Sequence, residues 1–176
     1  MTRSGSTLAT TDPLTGIANR REFARSLKLE MARANRFHRP LALIMYDLDH
    51  FKRINDTFGH NVGDSVLRAT TSLVNRFTRQ VDLHARWGGE EFTLLLPECS
   101  LEAAINSAER LCAAIAEQTF KHKKPVTTSI GVTVLAPEDT IDSLIKRADD
   151  VLYRAKGAGR NRVDSEAPEA TSTSSK

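Results

Sequence analysis

The stretch LHARWGGEEFTLLLP, residues 83–97, decides the class of fold. LHARW and FTLLLP each read as a strand, with GGEE between them. Strands joined by so short a glycine-bearing connection form an antiparallel hairpin. That separates the chain from doubly wound folds, in which helical crossovers join parallel strands. The same stretch raises a chemical question. Glycine weakens a strand and adjacent acids repel, so folding alone does not ask for Gly88, Gly89, Glu90 and Glu91 in a row. A ligand does: a Gly-Gly turn reaches positive φ and lets a bound molecule approach with no Cβ in the way. Glu90 is expected to start the strand after that turn. Read alone, the pair is also simply a good type I′ turn with solubilising acids beside it.

Working outward, NRREFARSLKLEMARANRFH places Phe23, Leu27, Met31 and Ala34 at three- and four-residue steps, which predicts a helix ended by Pro40. LALIMYDLD follows as a buried strand. FKRINDTFG predicts a short helix stopped at Gly59, and GDSVLRATTSLVNRFT a longer one with Val66, Thr70, Leu73 and Phe77 inward. Past the hairpin, Ser100 caps a helix with the inner stripe Ile105, Ala108, Leu111, Cys112 and Ile115. VTTSIGVTVL is a strand. A final helix is apolar at Ile141, Leu144, Ile145, Ala148, Leu152 and Ala155, and a last short strand starts at NRV. The order is αβααββαβα plus that strand. The class is α+β: a central, mostly antiparallel five-stranded sheet with surrounding helices. Residues 1–11 read as a linker, 12–163 as one domain and 164–176 as a disordered tail.

Bulk properties narrow the setting. The 176 residues are 40% hydrophobic and 27% charged, the make-up of one globular domain. The net charge of +3 is spread among mixed signs and suits an anionic small ligand. No basic stripe with interleaved aromatics points to nucleic acid. Cys99 and Cys112 form no CxxC, which favours a reducing compartment. The longest apolar run, LALIM, is too short to span a bilayer, and the N-terminus lacks a signal-peptide core, so the expected location is the cytoplasm.

Four constellations can carry chemistry. In YDLDHFKRIND, Asp47 and Asp49 end an apolar strand, where i and i+2 share a face and strand-end carboxylates hold hard cations such as Mg²⁺. An EF-hand is excluded, because Lys52 stands where its glycine belongs. For Asp49, capping of the following helix is the favoured reading. Asp47, flanked by apolar residues, needs a partner for its charge. If the hairpin lies beside this strand, Glu90 and Asp47 can share one metal. KGAGRNR, with Lys156 and Arg160, either holds phosphates or is an ordinary cationic helix end. In RQVD, Arg79 and Asp82 either face an anionic, purine-like ligand or form a surface ion pair. The chain has neither a P-loop nor a G-x-G-x-x-G motif.

Taken in order, DPLTGIANRREF, DLDHFKRINDTFGHNVGD, RQVDLHARWGGEEF, TTSIGV and ADDVLYRAKGAGRNRV resemble the GGDEF family of bacterial diguanylate cyclases, over about Asp12 to Val163. The resemblance implies a fold like that of the class III nucleotidyl cyclases and polymerase palms. It implies condensation of two GTP into cyclic di-GMP with release of two pyrophosphates, by two domains facing each other in a homodimer. It implies Mg²⁺ or Mn²⁺ held by Asp47, the Leu48 carbonyl and Glu90, which the family also assigns as base. Lys52 falls where a lysine offsets charge on the phosphates. Asn55 and Asp64 match the guanine-reading pair, which favours GTP over ATP. His60, Gly88 and Gly89 lie beside the substrate, and Lys156 and Arg160 match terminal phosphate contacts. RQVD matches the inhibitory site for cyclic di-GMP, with Arg33 or Arg36 completing it from elsewhere in the dimer. Only 11 residues precede DPLTG, where the family usually carries a sensor or coiled coil, so the chain is expected to be an excised catalytic domain or to pair by other means. The alternative is a non-catalytic GGDEF module that binds GTP or cyclic di-GMP as receptor or scaffold. Intact metal carboxylates and signature glycines favour the enzyme.

Overall fold

The computed structural model describes residues 10–169. Five strands, β1 (Leu41–Leu48), β2 (Leu83–Gly88), β3 (Glu91–Pro97), β4 (Thr128–Val134) and β5 (Arg162–Glu166), form one sheet in the order β2-β3-β1-β4-β5. β1 pairs antiparallel with β3 and β4, and β2 with β3, while β4 and β5 are parallel. Five helices surround them: α1 (Arg20–Phe37), α2 (Phe51–Phe58), α3 (His60–Phe77), α4 (Leu101–Glu117) and α5 (Ile141–Gly157). The class is α+β, and the element order is the expected one.

Apart from Asp47 near its end, β1 is apolar because both faces of the sheet are covered; all eight of its residues are buried. The two-residue period sorts them. Ala42, Ile44, Tyr46 and Leu48 join Phe92, Leu94 and the inner stripes of α2, α3 and α4. Leu41, Leu43 and Met45 join Leu95 and the stripes of α1 and α5. Asn19 starts α1 by accepting from the Glu22 N–H at 2.9 Å, and Ser100 caps α4 as expected, accepting from Ala103 N–H at 3.2 Å. Gly59 stops α2 with φ 90°.

One close approach sets the geometry of the site. A Cβ on Gly131 in β4 would lie 2.5 Å from the Leu152 nitrogen and 2.7 Å from the Ala148 oxygen. Glycine there lets α5 lie directly on the sheet, which carries the last turn of the helix to the carboxyl end of β1.

Two expectations change. Phe77 does not point inward; it is 42% exposed at the last position of α3, where the chain already leaves for the turn before β2, and Val74 takes its place in the core. β5 runs to Glu166, so residues 164–166 belong to the sheet and not to a tail. Residues 1–9 of the expected linker and 170–176 of the expected tail lie outside the described residues.

Candidate active site

Asp47 lies near the end of β1, 4% exposed, directly opposite Glu91 of β3. Its carboxylate pairs with the Lys156 ammonium in the last turn of α5. Burial pushes the Asp47 pKa up to about 6; Lys156 pulls it down, and Glu90 and Glu91 push it further up. The site therefore holds more negative charge than one lysine compensates.

Asp49 is not a helix cap. α2 begins after His50, which has φ 55° and makes no side-chain cap bond. The buried Asp49 carboxylate instead accepts from Thr127 Oγ1 at 2.7 Å, Ser129 Oγ at 2.6 Å and the Asn161 N–H at 2.9 Å. It ties β1 to β4 and to the segment after α5. The pair therefore divides: Asp47 faces Lys156 and the hairpin, and Asp49 is structural.

The hairpin turn is Gly89-Glu90, one residue later than expected. The register between β2 and β3 shifts between Arg86 and Gly88, and this bulge carries Gly88 into the strand. Only Gly89 of the two takes positive φ, 48°, so the turn is not type I′ and Glu90 precedes β3. The turn packs against β1: the Leu48 N–H donates to the Glu90 carbonyl at 3.4 Å. Arg86 braces it from behind, donating from Nε to the Gly89 carbonyl at 2.9 Å and from Nη1 to Asp12 at 3.3 Å. Asp12 also accepts from the Thr15 hydroxyl and N–H, at 2.6 and 2.9 Å. Arg20 lies 3.8 Å over the Trp87 ring on the same strand.

Asn55 and Asp64 come together through a residue that the sequence reading passed over. Gly63, in the first turn of α3, is buried, and a Cβ there would sit 1.8 Å from Asn55 Oδ1. The Asn55 amide therefore lies on the bare backbone of α3, one residue from Asp64. Lys52 and His60 are exposed on the first turns of α2 and α3.

After α5 the chain winds left-handed through Gly159, Arg160 and Asn161, at φ 124°, 63° and 48°. Positive φ at a non-glycine residue costs on the order of 1–2 kcal/mol, and such strain collects where structure serves a ligand. Here it brings the Asn161 N–H to Asp49 and leaves Arg160 exposed.

Arg79 and Asp82 sit at the other end of the hairpin, about 20 Å from the Gly89 turn at strand rise. They pair with each other at 2.7 Å, and Arg79 also donates to the Pro97 carbonyl at 2.8 Å. Arg33 pairs with Glu30 on α1, and Arg36 lies over Phe37; among the described residues no hydrogen bond or ion pair joins either arginine to Arg79 or Asp82.

Among the described residues no three acids, histidines or cysteines gather closely enough to hold a metal unaided. The donor set of Asp47, the Leu48 carbonyl and Glu90 fits a different chemistry. Mg²⁺ binds through one or two carboxylates and completes its shell with substrate phosphates and water. The buried, under-compensated Asp47 is the observation in favour of that fit.

A glycine hairpin packed beside a buried strand-end carboxylate, on a five-stranded α+β sheet, defines a class of domain with solved relatives. The coiled coil and GGDEF domain of DgcB from Caulobacter crescentus, solved with c-di-GMP, superposes with TM-score 0.87 at 33% identity, covering 90% of this chain and 86% of that one. The active GGEEF domain of a diguanylate cyclase from Vibrio cholerae gives 0.82 at 34% identity, covering 87% and 99%. The chain belongs to the GGDEF family: the model for the diguanylate cyclase, GGDEF domain matches residues 9–162. Diguanylate cyclase DgcP of Pseudomonas aeruginosa is 47% identical over 159 residues, and response regulator PleD of Caulobacter vibrioides 42% over 162. Each alignment covers 89% of this chain but only 24% and 36% of those longer proteins.

Proposed function

We propose that this domain condenses two GTP into cyclic di-GMP and two pyrophosphates, with two copies facing each other and a divalent cation at Asp47 and Glu90. The observation that carries this reading is the junction of β1 with the hairpin turn, where the Leu48 N–H meets the Glu90 carbonyl beside a buried carboxylate of raised pKa. Mg²⁺ there would supply Lewis-acid polarisation of the α-phosphate and acidify the attacking 3′-OH. The chain's own residues do the rest. Asn55 and Asp64 read the guanine edge, since a carboxylate accepts from N1–H and N2–H₂ and adenine lacks that donor pair. Lys52, Lys156 and Arg160 offset charge on the phosphates, while Gly88 and Gly89 leave the backbone open to the nucleotide. The 3′-oxygen of one GTP bonds to the α-phosphorus of the other, and the bond to pyrophosphate breaks. Glu90 serves as ligand more than base, because a metal makes a carboxylate base less necessary.

Arg79 and Asp82 are proposed to bind cyclic di-GMP as a feedback site. Their mutual ion pair opens when the ligand takes Arg79, and an arginine of a second copy, Arg33 or Arg36, completes the site.

The test is incubation of the chain with GTP and Mg²⁺ at low and high protein concentration, beside Glu90→Gln. Cyclic di-GMP that rises faster than linearly with protein and disappears in the variant is the expected result. Binding of GTP or cyclic di-GMP without product at any concentration would assign a receptor instead.

A further inference from the structure

Helix α2 has two faces. Lys52 and Asn55 lie on one. Arg53, Ile54, Thr57 and Phe58 form a stripe on the other, at the i, i+1, i+4, i+5 spacing of a single face. Between that stripe and the loop leading into β4 lies a cleft of 460 Å³, within the range of small-molecule sites. None of the residues on this side belongs to the machinery proposed above.

The chemistry of the cleft is one-sided. His50, Arg53, His122 and Lys124 line it. None of these four side chains makes a hydrogen bond or ion pair among the described residues. The one carboxylate in the lining, Asp49, already has both oxygens engaged by Thr127, Ser129 and Asn161. The loop continues the charge, reading FKHKKP over residues 120–125. His122 is the least satisfied group: both ring nitrogens are shielded from solvent and neither has a partner. Its ring meets Phe58 edge-on at 5.0 Å and lies 6.1 Å from Phe120. An orphaned buried polar atom is destabilising, and a ligand acceptor or donor recovers that loss. Ile54, Phe58 and Pro125 supply apolar walls.

Unpaired cations with aromatic walls select a ligand that is both flat and acidic. We infer that this cleft binds a small aromatic anion, a ring or base carrying a phosphate, on the face of α2 opposite Lys52 and Asn55. Arg53 and Lys124 hold the phosphate, Phe58 stacks the ring, and His122 gains the hydrogen bond it lacks.

The experiment is an amide and imidazole NMR titration of the whole chain with phenyl phosphate at fixed ionic strength, with inorganic phosphate alongside. Saturable shifts at Phe58, His122 and Lys124 are expected, with inorganic phosphate bound about tenfold more weakly. Exchanging both cations, as Arg53→Gln with Lys124→Gln, is expected to weaken phenyl phosphate about tenfold or more, since each charged hydrogen bond contributes on that scale. The charge-matched exchange on α1, Arg21→Gln with Lys28→Gln, leaves binding unchanged. Shifts confined to Lys52, Asn55 and Lys156 would overturn the assignment. So would an equal response to inorganic phosphate, or unaltered binding in the cleft variant.

Discussion

Gly63 lacks a side chain because Asn55 occupies the space where one would be. Gly63→Ala pushes the amide away while adding a better helix former, worth up to about 1 kcal/mol. The Asn55 tip is flexible, and the edge of the buried Phe51 ring, 3.2 Å from the added Cβ, has to give by only a few tenths of an ångström. The melting temperature is expected to hold or rise slightly while KM for GTP climbs about tenfold, the scale of one lost polar contact; unchanged KM would remove Asn55 from guanine recognition. Asp49 gives the opposite balance. Asp49→Ala leaves the buried Ser129 hydroxyl and the part-buried Thr127 hydroxyl and Asn161 N–H without their acceptor and is expected to cost about 1–3 kcal/mol in urea denaturation. Neither role is visible locally. An aspartate before a helix reads as a cap, and only the return of β4 and the turn after α5 supply its true partners. Gly63 carried one signal, a glycine inside a helical pattern, but its partner Asn55 belongs to another helix.

At the scale of elements, the helices were legible from apolar stripes at three- and four-residue steps, and the inner strands as short apolar runs such as LALIM and FTLLL between turn signals. What was not legible is where order ends. The bulge beside Gly88 moved the turn by one residue, because a bulge is set by how β2 pairs with β3 and not by glycine positions alone. Phe77 kept the helical spacing but ran past the sheet that would have covered it. The hairpin is held by Arg86 between Asp12 and the Gly89 carbonyl. Arg86→Gln releases the turn without touching Asp47 or Glu90. A displacement of about 1 Å costs on the order of 100-fold in rate. The expected result is kcat lowered about 10- to 100-fold with faster amide exchange at Glu90 and Glu91. Exchange at wild-type rates would show the brace to be dispensable.

At the scale of the whole molecule, two buried groups set the acid response with opposite signs. His84 lies between Tyr46 Oη at 2.6 Å and Asn75 Oδ1 at 2.8 Å, and burial pulls its pKa down to about 3. The unfolded chain takes a proton near pH 6.5 that the folded chain refuses, so His84 removes stability as pH falls from 6.5 toward 3. Asp47, held at about 6 against 3.8 when free, takes its proton first in the folded state, so it adds stability as pH falls from 6 toward 4. Each slope is at most about 1.4 kcal/mol per pH unit, and the two offset each other. Below pH 4 His84 acts without that opposition. Asp12 and Asp139 then join it. Burial raises both carboxyls, but hydrogen bonds from Thr15 and Arg86 to the first, and from Arg147 to the second, leave them lowered. Urea midpoints are expected to stay level from pH 6 to 4 and to fall steeply below. In Asp47→Asn the level region is replaced by a decline starting near pH 6.5, and persistence of the plateau would contradict this balance.

The chain near residue 10 is stitched to the outer edge of the sheet. Asn19 N–H donates to the Thr10 carbonyl at 3.0 Å, Ala18 N–H to the His84 carbonyl at 3.2 Å, and Arg86 N–H to the Ala18 carbonyl at 2.9 Å. Mechanically, this is a short linkage with few joints. A load applied to the backbone at Thr10 reaches β2 through two backbone hydrogen bonds at Ala18 and the Asp12–Arg86 pair. The bridge from Ala18 to Ala85 runs parallel to the strand, so such a load shears the bonds together and does not peel them one by one. Tension or twist at that point is delivered to the arm that carries Glu90.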